Sequence, residues 1–389
     1  MLTTHTRRLT CAVAASLLAA CGALEDTQSD LPDSQPEAVI SEVTAAQTPD
    51  LTAWFSNYNV GQGLSYLGQP HTTNLLGDPR YPSAAPHVHY GEVAYGPFSR
   101  NRLDFWQVES DRPTPVAVFI HGGGFQTGSK ENVHNGGQTI PNLLAAGVSV
   151  ASISYRYAYR DPDLAVEAPI PNGEGSEHDV NGTRLDYILR DCARAIQYIR
   201  FKGRAWNVNP ARIGAWGGSA GAGCATWVGV VDDLAQPNHR DPVLRRSSRL
   251  SVIGHTNGQP TYNWLAWPPL LNMSRAFVMD LVEREAVRLT QTSLVDLAQT
   301  QQGRDLGMVL DYYRQMGPGD PPFYTENSRP DLGEEDNPSG SDVVHHPRAH
   351  VALYDRCVGA GLECEIKTVI VDSGYPGGVT DFVVEHLTN

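Results

Sequence analysis

Short β-branched runs alternate with longer segments of helical spacing along most of this chain. Strands are predicted at Val116–Ile120, Val148–Tyr155, Arg212–Trp216, Leu250–Gly254, Phe323–Thr325 and Glu365–Val371. Such runs are typical of strands that are buried on both faces of a sheet. Between them, apolar residues three and four apart predict helices at Arg184–Phe201, Pro347–Val358 and Thr380–Leu387. The alternation indicates an α/β fold with a doubly wound, mostly parallel sheet.

Two stretches depart from this alternation. From Trp54 to Pro97 the chain is rich in Gly, Pro, Tyr and His with little periodicity, which fits either a loop-rich cover or a segment near the substrate. Residues 260–319 have helical spacing, clearest over Met279–Leu289, and are predicted to form an insertion between strands. Its apolar residues could line an acyl pocket or simply form the core of the insertion.

The N-terminus has the pattern of an export signal. Arg7 and Arg8 precede the apolar run Leu9–Ala20, and Cys21 follows small residues. The ending Leu-Ala-Ala-Cys resembles a bacterial lipobox, which implies cleavage before Cys21, lipid attachment to its sulfur and a lipid-anchored, exported protein of the cell envelope, with the outer membrane favoured. The alternative is an ordinary signal in which Cys21 is incidental. We therefore expect a signal peptide over 1–20, an acidic tether over 21–50 and a folded domain over 51–389.

The net charge and the cysteines indicate which partners and which disulfide to expect. The formal charge of −14 argues against nucleic acid as a partner. The chain has 6 cysteines, and a predicted helix, a glycine-containing turn and a strand favour a disulfide between Cys357 and Cys364; buried free thiols are the alternative. No ligand spacing of a structural zinc appears, so no metal is predicted.

Two glycine-rich motifs carry the chemistry. Gly217-Gly218-Ser219-Ala220-Gly221 lies between a predicted strand and a predicted helix, the context in which a Gly-x-Ser-x-Gly turn exposes a nucleophilic serine. The Ala220 amide would face a developing oxyanion. His121-Gly122-Gly123-Gly124-Phe125 follows the strand Val116–Ile120, and backbone N–H groups of Gly122, Gly123 and Gly124 could complete the oxyanion hole.

Taken together, these motifs resemble a known family. His-Gly-Gly-Gly-Phe, Ser154-Tyr155-Arg156, the segment Asn207–Ile213 and Gly-Gly-Ser-Ala-Gly look like the hormone-sensitive-lipase-like and bacterial feruloyl-esterase-like branch of the α/β-hydrolases. The resemblance implies ester hydrolysis through an acyl-enzyme on Ser219 without a cofactor. In the family's strand order, the helical insertion would be a cap between strands six and seven.

The resemblance is weaker for the acid and the base. The acid should follow strand seven, where counting back from the next helix favours Asp342 and counting forward favours Asp331. The base should follow the last strand, but Tyr375 stands there, and a tyrosine is a poor base at neutral pH. His386 fits a structural role in the last helix. The adjacent pair His345 and His346, of which we select His346, and His255 remain as substitutes.

Two functions therefore remain open. The first is a serine esterase acting on a small-molecule ester through Ser219, Asp342 and His346. The second is a catalytically impaired binding or envelope lipoprotein that has lost its general base. The distinguishing feature is whether an imidazole reaches Ser219. A peptidase on the same scaffold has no positive sign in the sequence.

Overall fold

The computed structural model describes residues 48–58, 62–158 and 182–389. The predicted signal peptide over 1–20, the lipid-bearing Cys21 and all but the last residues of the tether lie outside the described residues. Within the described part of the chain, no helix combines the length and the apolar character needed to cross a membrane.

A nine-stranded, mostly parallel sheet organises the described residues. Its strands are β1 (Thr72–Asn74), β2 (His87–Ala94), β3 (Arg102–Val108), β4 (Thr114–Ile120), β5 (Ser149–Ile153), β6 (Val208–Gly218), β7 (Ile253–Thr256), β8 (Phe323–Glu326) and β9 (Cys364–Lys367). Their order is β1-β2-β3-β5-β4-β6-β7-β8-β9. The first three strands pair antiparallel with their neighbours, and all pairings from β5 across to β9 are parallel. The predicted fold class is confirmed.

Helices cover both faces of this sheet. In chain order they are α1 (Leu51–Trp54), α2 (Thr139–Ala145), α3 (Leu185–Lys202), α4 (Ala220–Val230), α5 (Trp267–Leu271), α6 (Arg275–Thr290), α7 (Leu294–Gln299), α8 (Gln301–Leu310), α9 (Tyr312–Gln315), α10 (Gly340–Val344), α11 (Pro347–Gly359) and α12 (Val379–Thr388). Helices α5 to α9 all lie between β7 and β8 in the chain, the stretch for which an insertion was predicted.

Side chains of successive strand residues enter two separate cores. Val116, Val118 and Ile120 of β4 pack into the core that also contains the apolar residues of α3 and α4. Ala117, between them, enters the second core, which α2 and α12 cover. This alternation follows from the two-residue period of a strand. The central strands are therefore buried on both faces, and this packing fixes the positions of the ends of β4, β6 and β7 relative to one another.

Several strands differ from those that the sequence pattern predicts. β7 begins at Ile253 rather than Leu250, and β9 ends at Lys367 rather than Val371. The pattern did not predict β1, β2 or β3. In β2 a register irregularity between Tyr90 and Val93, with Glu92 at φ 60°, interrupts the alternation that would have indicated a strand.

The cysteine pairing agrees with the sequence-based expectation. Cys357, near the end of α11, is bonded to Cys364 at the start of β9. Cys192 and Cys224 are buried free thiols. The confirmed pairing closes a short loop that joins α11 to the outermost strand.

Candidate active site

Ser219 occupies a sharp turn between β6 and α4. Its backbone has φ 51° and ψ −122°, a conformation that a non-glycine residue adopts only when its surroundings impose it. An added Cβ would lie 2.4 Å from the Ile120 carbonyl oxygen at Gly217 and 2.0 Å from the same oxygen at Gly221. The two glycines are therefore required because β4 passes too close for any side chain, as predicted for this motif.

An imidazole lies within hydrogen-bond distance of this serine. The Ser219 Oγ atom is 2.8 Å from Nε2 of His345. His345 ends α10, and its Nδ1 atom is 2.9 Å from the carbonyl oxygen of Ser341, one helical turn earlier. A carbonyl can only accept, so Nδ1 carries the proton and Nε2 is left as the acceptor for the serine hydroxyl.

The environment of His345 keeps the imidazole neutral. Burial is the main cause that lowers the pKa of His345 below its usual value of 6.5; nearby Arg329 lowers the pKa further, whereas the Ser341 carbonyl and Asp342 raise it. A neutral imidazole is the form that can accept a proton from Ser219. The side-chain amide of Asn327 also donates to the His345 carbonyl at 3.0 Å, which fixes the backbone of this residue.

His346, the residue selected from the sequence, lies elsewhere. Its Nε2 atom is 2.8 Å from the Leu332 carbonyl oxygen, and its Nδ1 atom accepts from the Arg348 amide at 3.2 Å. His346 is the N-cap of α11 and is fully buried. The selection of His346 as the group that reaches Ser219 is therefore corrected to His345. His345 follows the last residue of α10, whereas His346 begins α11 as its N-cap, so the two adjacent side chains point in different directions.

Asp342, the preferred acid, also has other partners. Its carboxylate accepts from the Ser339 amide at 3.0 Å and from the Ser339 hydroxyl at 2.6 Å, as the acidic member of a capping box for α10. Arg329 contributes an ion pair at 3.1 Å. Asp342 therefore caps the helix that carries His345, and the Ser341 carbonyl takes the place expected for Asp342. The rival acid, Asp331, pairs with Arg348 at 2.8 Å.

The remaining residues considered for the base are engaged away from Ser219. His255 is fully buried in β7, with Nδ1 2.8 Å from the Thr226 hydroxyl. His386 lies in α12, with Nδ1 2.9 Å from the Phe382 carbonyl oxygen, in accord with its predicted structural place. The Tyr375 hydroxyl, at the position where a histidine was sought, donates to Glu385 at 2.9 Å.

The predicted oxyanion elements meet beside Ser219. A Cβ added to Gly122 would lie 3.4 Å from Cβ of Ser219, so this loop contacts the serine directly. Gly123 and Gly124 have φ values of 107° and 56°, conformations that glycine adopts without strain. Ala220 is the first residue of α4, and first-turn amides of a helix lack intrahelical acceptors. The structure thus brings Gly122 next to Ser219, which Ala220 follows directly in the chain.

The surrounding residues give no indication of a metal centre. Among the described residues, no group of three or more His, Cys, Asp or Glu side chains is arranged to hold a metal ion. The arrangement at Ser219 instead contains a hydroxyl, a neutral imidazole and helix-terminal amides. These are the groups of nucleophilic catalysis by an activated serine.

Comparison with known proteins supports this description of the scaffold. The chain aligns with the truncated form of a carbohydrate esterase from gut microbiota, with a TM-score of 0.52 and 18% identity over 77% of this chain and 96% of that one. A bifunctional GH43-CE protein of Bacteroides eggerthii aligns with a TM-score of 0.53 and 16% identity, over 77% of this chain and 37% of that one. The chain has the α/β-hydrolase fold.

Two comparisons of sequence add to these comparisons of structure. The BD-FAE family model, which describes α/β-hydrolase-like esterases, matches residues 103–166. No curated protein sequence matches the chain. The matched segment includes β4 and the glycine-rich loop but ends before Ser219 and His345. The family model therefore covers the oxyanion loop, while the serine and imidazole rest on the geometry described above.

Proposed function

We propose that this protein is a serine carboxylic-ester hydrolase in which Ser219 is the nucleophile and His345 the general base. The observation that carries the proposal is the 2.8 Å contact between Ser219 Oγ and His345 Nε2 at a strained strand-to-helix turn. A serine held in this way by a neutral imidazole is the arrangement of an activated nucleophile.

The proposed reaction has two stages. His345 Nε2 accepts the hydroxyl proton as Ser219 Oγ attacks the ester carbonyl, and amides of the Gly122–Gly124 loop and Ala220 stabilise the oxyanion. The C–O bond to the alcohol then breaks, and His345 returns the proton to the departing alkoxide. His345 then takes a proton from a water molecule as the water attacks the acyl-enzyme; the acyl–Oγ bond breaks, His345 returns the proton to Ser219 Oγ, and the acid leaves. The imidazolium is held throughout by the Ser341 carbonyl instead of a carboxylate.

The substrate class rests on chemistry and on the comparisons. The Gly122–Gly124 loop offers backbone N–H groups to an oxygen anion, which fits any carboxylic ester. The match to an esterase family model and the carbohydrate-esterase name of an aligned structure favour a small-molecule ester, such as an acylated sugar. The helices between β7 and β8 are proposed as the cap of this site.

The competing function is a binding module that has lost catalysis. The Ser219–His345 contact favours the enzyme, because a protein that only binds esters has no need of a base on the serine hydroxyl. The His345 ring is bonded to Ser219 and to the Ser341 carbonyl, and no carboxylate of the described residues is hydrogen-bonded to it, which favours a slow enzyme over one with a complete triad.

The test is hydrolysis of p-nitrophenyl acetate and p-nitrophenyl butyrate by the full chain. We expect turnover that is abolished by Ser219→Ala and reduced at least about 10³-fold in kcat by His345→Gln. His346→Gln is the matched control, because it changes the adjacent imidazole and should leave kcat within about 3-fold. Wild-type protein that is folded but inactive on both esters would leave the binding module as the function.

We also propose that the mature protein is anchored by a lipid on Cys21, on the basis of the Leu18–Cys21 sequence alone. Expression in a bacterium with labelled fatty acid should label the wild type but not Cys21→Ser. A wild-type protein that is exported without label would show that the leader is an ordinary signal peptide.

A further inference from the structure

The glycine-rich loop beside Ser219 is unusual because its strain extends past the glycines. Gly123, Gly124 and Phe125 have consecutive φ values of 107°, 56° and 61°. Glycine tolerates this region, but phenylalanine does not, so the conformation at Phe125 must be imposed from outside. A loop of this kind keeps its shape only while neighbouring groups hold it.

Some of the contacts that hold the loop are local. The amides of Gln126 and Thr127 donate to the Gly123 carbonyl at 3.0 and 3.1 Å. The Ala158 amide donates to the Phe125 carbonyl at 2.9 Å. These bonds leave the Gly124 carbonyl, in the middle of the strained segment, to a partner from another part of the chain.

That partner is Arg288, on α6. Its Nη2 atom donates to the Gly124 carbonyl oxygen at 2.8 Å, and only 4% of its side chain is exposed. Glu285, one turn earlier on the same helix, pairs with the guanidinium at 2.5 Å. A buried, paired arginine is a rigid donor, because its planar group is fixed by the carboxylate.

A second residue, Tyr262, precedes α5 in the chain and contacts both the start of α4 and the glycine-rich loop. The hydroxyl of Tyr262 donates to the Ala220 carbonyl at 3.0 Å. Its ring packs edge-on against Phe125, with ring centroids 5.4 Å apart. A Cβ added to Gly223 would lie 2.1 Å from the Tyr262 hydroxyl oxygen, so the tyrosine is seated tightly against α4. Tyr262 therefore links the start of α4 to the strained loop.

We infer that Tyr262 and Arg288 are positioning residues that hold the two halves of the oxyanion hole in register. The inference rests on the proposed function of Ser219. Neither side chain needs to touch the substrate: Arg288 acts through Gly124, and Tyr262 acts through Ala220 and Phe125. The segment between β7 and β8 would thus set the rate of the chemical step besides covering the site.

This role predicts a particular kinetic pattern. Oxyanion donors bind the transition state more strongly than the ground state, so misplacing them lowers kcat and leaves KM nearly unchanged. Complete loss of one donor costs about 10²- to 10³-fold in kcat. Loss of a positioning contact leaves the donor present but poorly aimed, so we expect a decrease of about 10-fold.

The experiment compares two pairs of variants in the full chain. Arg288→Met and Tyr262→Phe remove the contacts to Gly124 and Ala220. Arg356→Met removes a comparable guanidinium-to-carbonyl bond, to Arg314 at 2.9 Å, and Tyr312→Phe removes a buried hydroxyl bonded to Gln259 at 2.6 Å. For each variant, kcat and KM for p-nitrophenyl butyrate, the Ki of a boronic acid inhibitor and hydrogen exchange of peptides covering 120–128 are measured.

We expect Arg288→Met and Tyr262→Phe to lower kcat about 10-fold, to keep KM within about 2-fold and to weaken the boronic acid in proportion to kcat. Exchange at 120–128 should accelerate in Arg288→Met, and Arg288→Lys should restore part of kcat. The controls Arg356→Met and Tyr312→Phe should keep kcat within about 2-fold. The inference is overturned if all four variants lose the same activity, or if exchange at 120–128 is unchanged in Arg288→Met. Inactivity of the wild type would instead overturn the proposed esterase function, and the exchange measurement remains informative in that case.

Discussion

Replacing Asp342 with Asn separates a helix cap from a catalytic acid. In a serine hydrolase whose histidine is held by an aspartate, removal of that carboxylate lowers kcat about 10⁴-fold. Here Nδ1 of His345 is bonded to the Ser341 carbonyl at 2.9 Å, and Asp342 bonds to Ser339 and Arg329. The structure therefore predicts that Asp342→Asn keeps most of the activity.

The expected effect of Asp342→Asn on kcat follows from the exposure of the Arg329–Asp342 ion pair. The side chains of Arg329 and Asp342 are 42% and 28% exposed, so water screens the field of this carboxylate at His345. An exposed charge interaction contributes at most about 0.7 kcal/mol in such a place, which corresponds to about a 3-fold change in rate. The capping contacts to Ser339 should contribute about 1 kcal/mol to the free energy of unfolding.

The assay is kcat and KM for p-nitrophenyl butyrate, with urea unfolding of the same samples. We expect Asp342→Asn to change kcat by less than about 3-fold while lowering the free energy of unfolding by about 1 kcal/mol. His345→Gln provides the scale of a true loss of the base. A 10³-fold or larger decrease in kcat for a folded Asp342→Asn would refute the assignment of the orienting role to the Ser341 carbonyl.

Three further predictions concern pH, close packing and the disulfide. Burial lowers the pKa of His345 below 6.5, so kcat/KM should fall only as the pH decreases through that lower pKa. A kcat/KM profile with its acidic midpoint above pH 6.5 would contradict the role of His345 as the base. Gly221→Ala should abolish activity and lower the melting temperature, because the new Cβ would lie 2.0 Å from a backbone oxygen. Gly359→Ala is the control: its new Cβ would meet nothing within 4 Å, so activity and melting temperature should stay unchanged. The Cys357–Cys364 bridge joins residues 7 apart, so its removal in a double Ala variant should cost about 2–3 kcal/mol in urea unfolding, and an unchanged midpoint would show that the bridge contributes nothing.

The centre of the sheet could be predicted because its strands are short runs rich in β-branched residues. Val116–Ile120 and Val148–Tyr155 are buried on both faces, so nothing else fits their composition. The outer strand β2 is half exposed and carries a bulge at Glu92, and its polar residues obscure the period of two. The strand β2 therefore gave no recognisable signal in the sequence.

The turn that carries Ser219 was predictable for a steric reason, and the imidazole that contacts this serine belongs to the residue before His346. The requirement for glycine at 217 and 221 comes from the backbone of β4 and is visible in the sequence as a motif. Which of His345 and His346 faces Ser219 depends on where α10 ends and α11 begins. Pro347 was the available signal, because proline at the first helical position makes His346 the N-cap and engages its side chain.

The observed partners of Asp342 differ from the expected one for a similar reason. Ser339-Gly340-Ser341-Asp342 has the serine and acidic residue of a capping box, three positions apart, which predicts a local partner for the carboxylate. The family resemblance implies a catalytic histidine as its partner instead, whereas the local pattern favours Ser339. The contacts of Arg288 and Tyr262 join residues far apart in the chain, so no local sequence pattern predicts them.

The Ser341 carbonyl has a consequence for how this site tolerates genetic change. A carboxylate that orients a histidine can be lost by a single codon change, whereas a main-chain carbonyl is present whatever amino acid is encoded at position 341. If Ser219 and His345 react as proposed, the tautomer of the base is protected from most point mutations. Variation at this position would be harmful only when it unwinds α10 or moves this carbonyl away from His345.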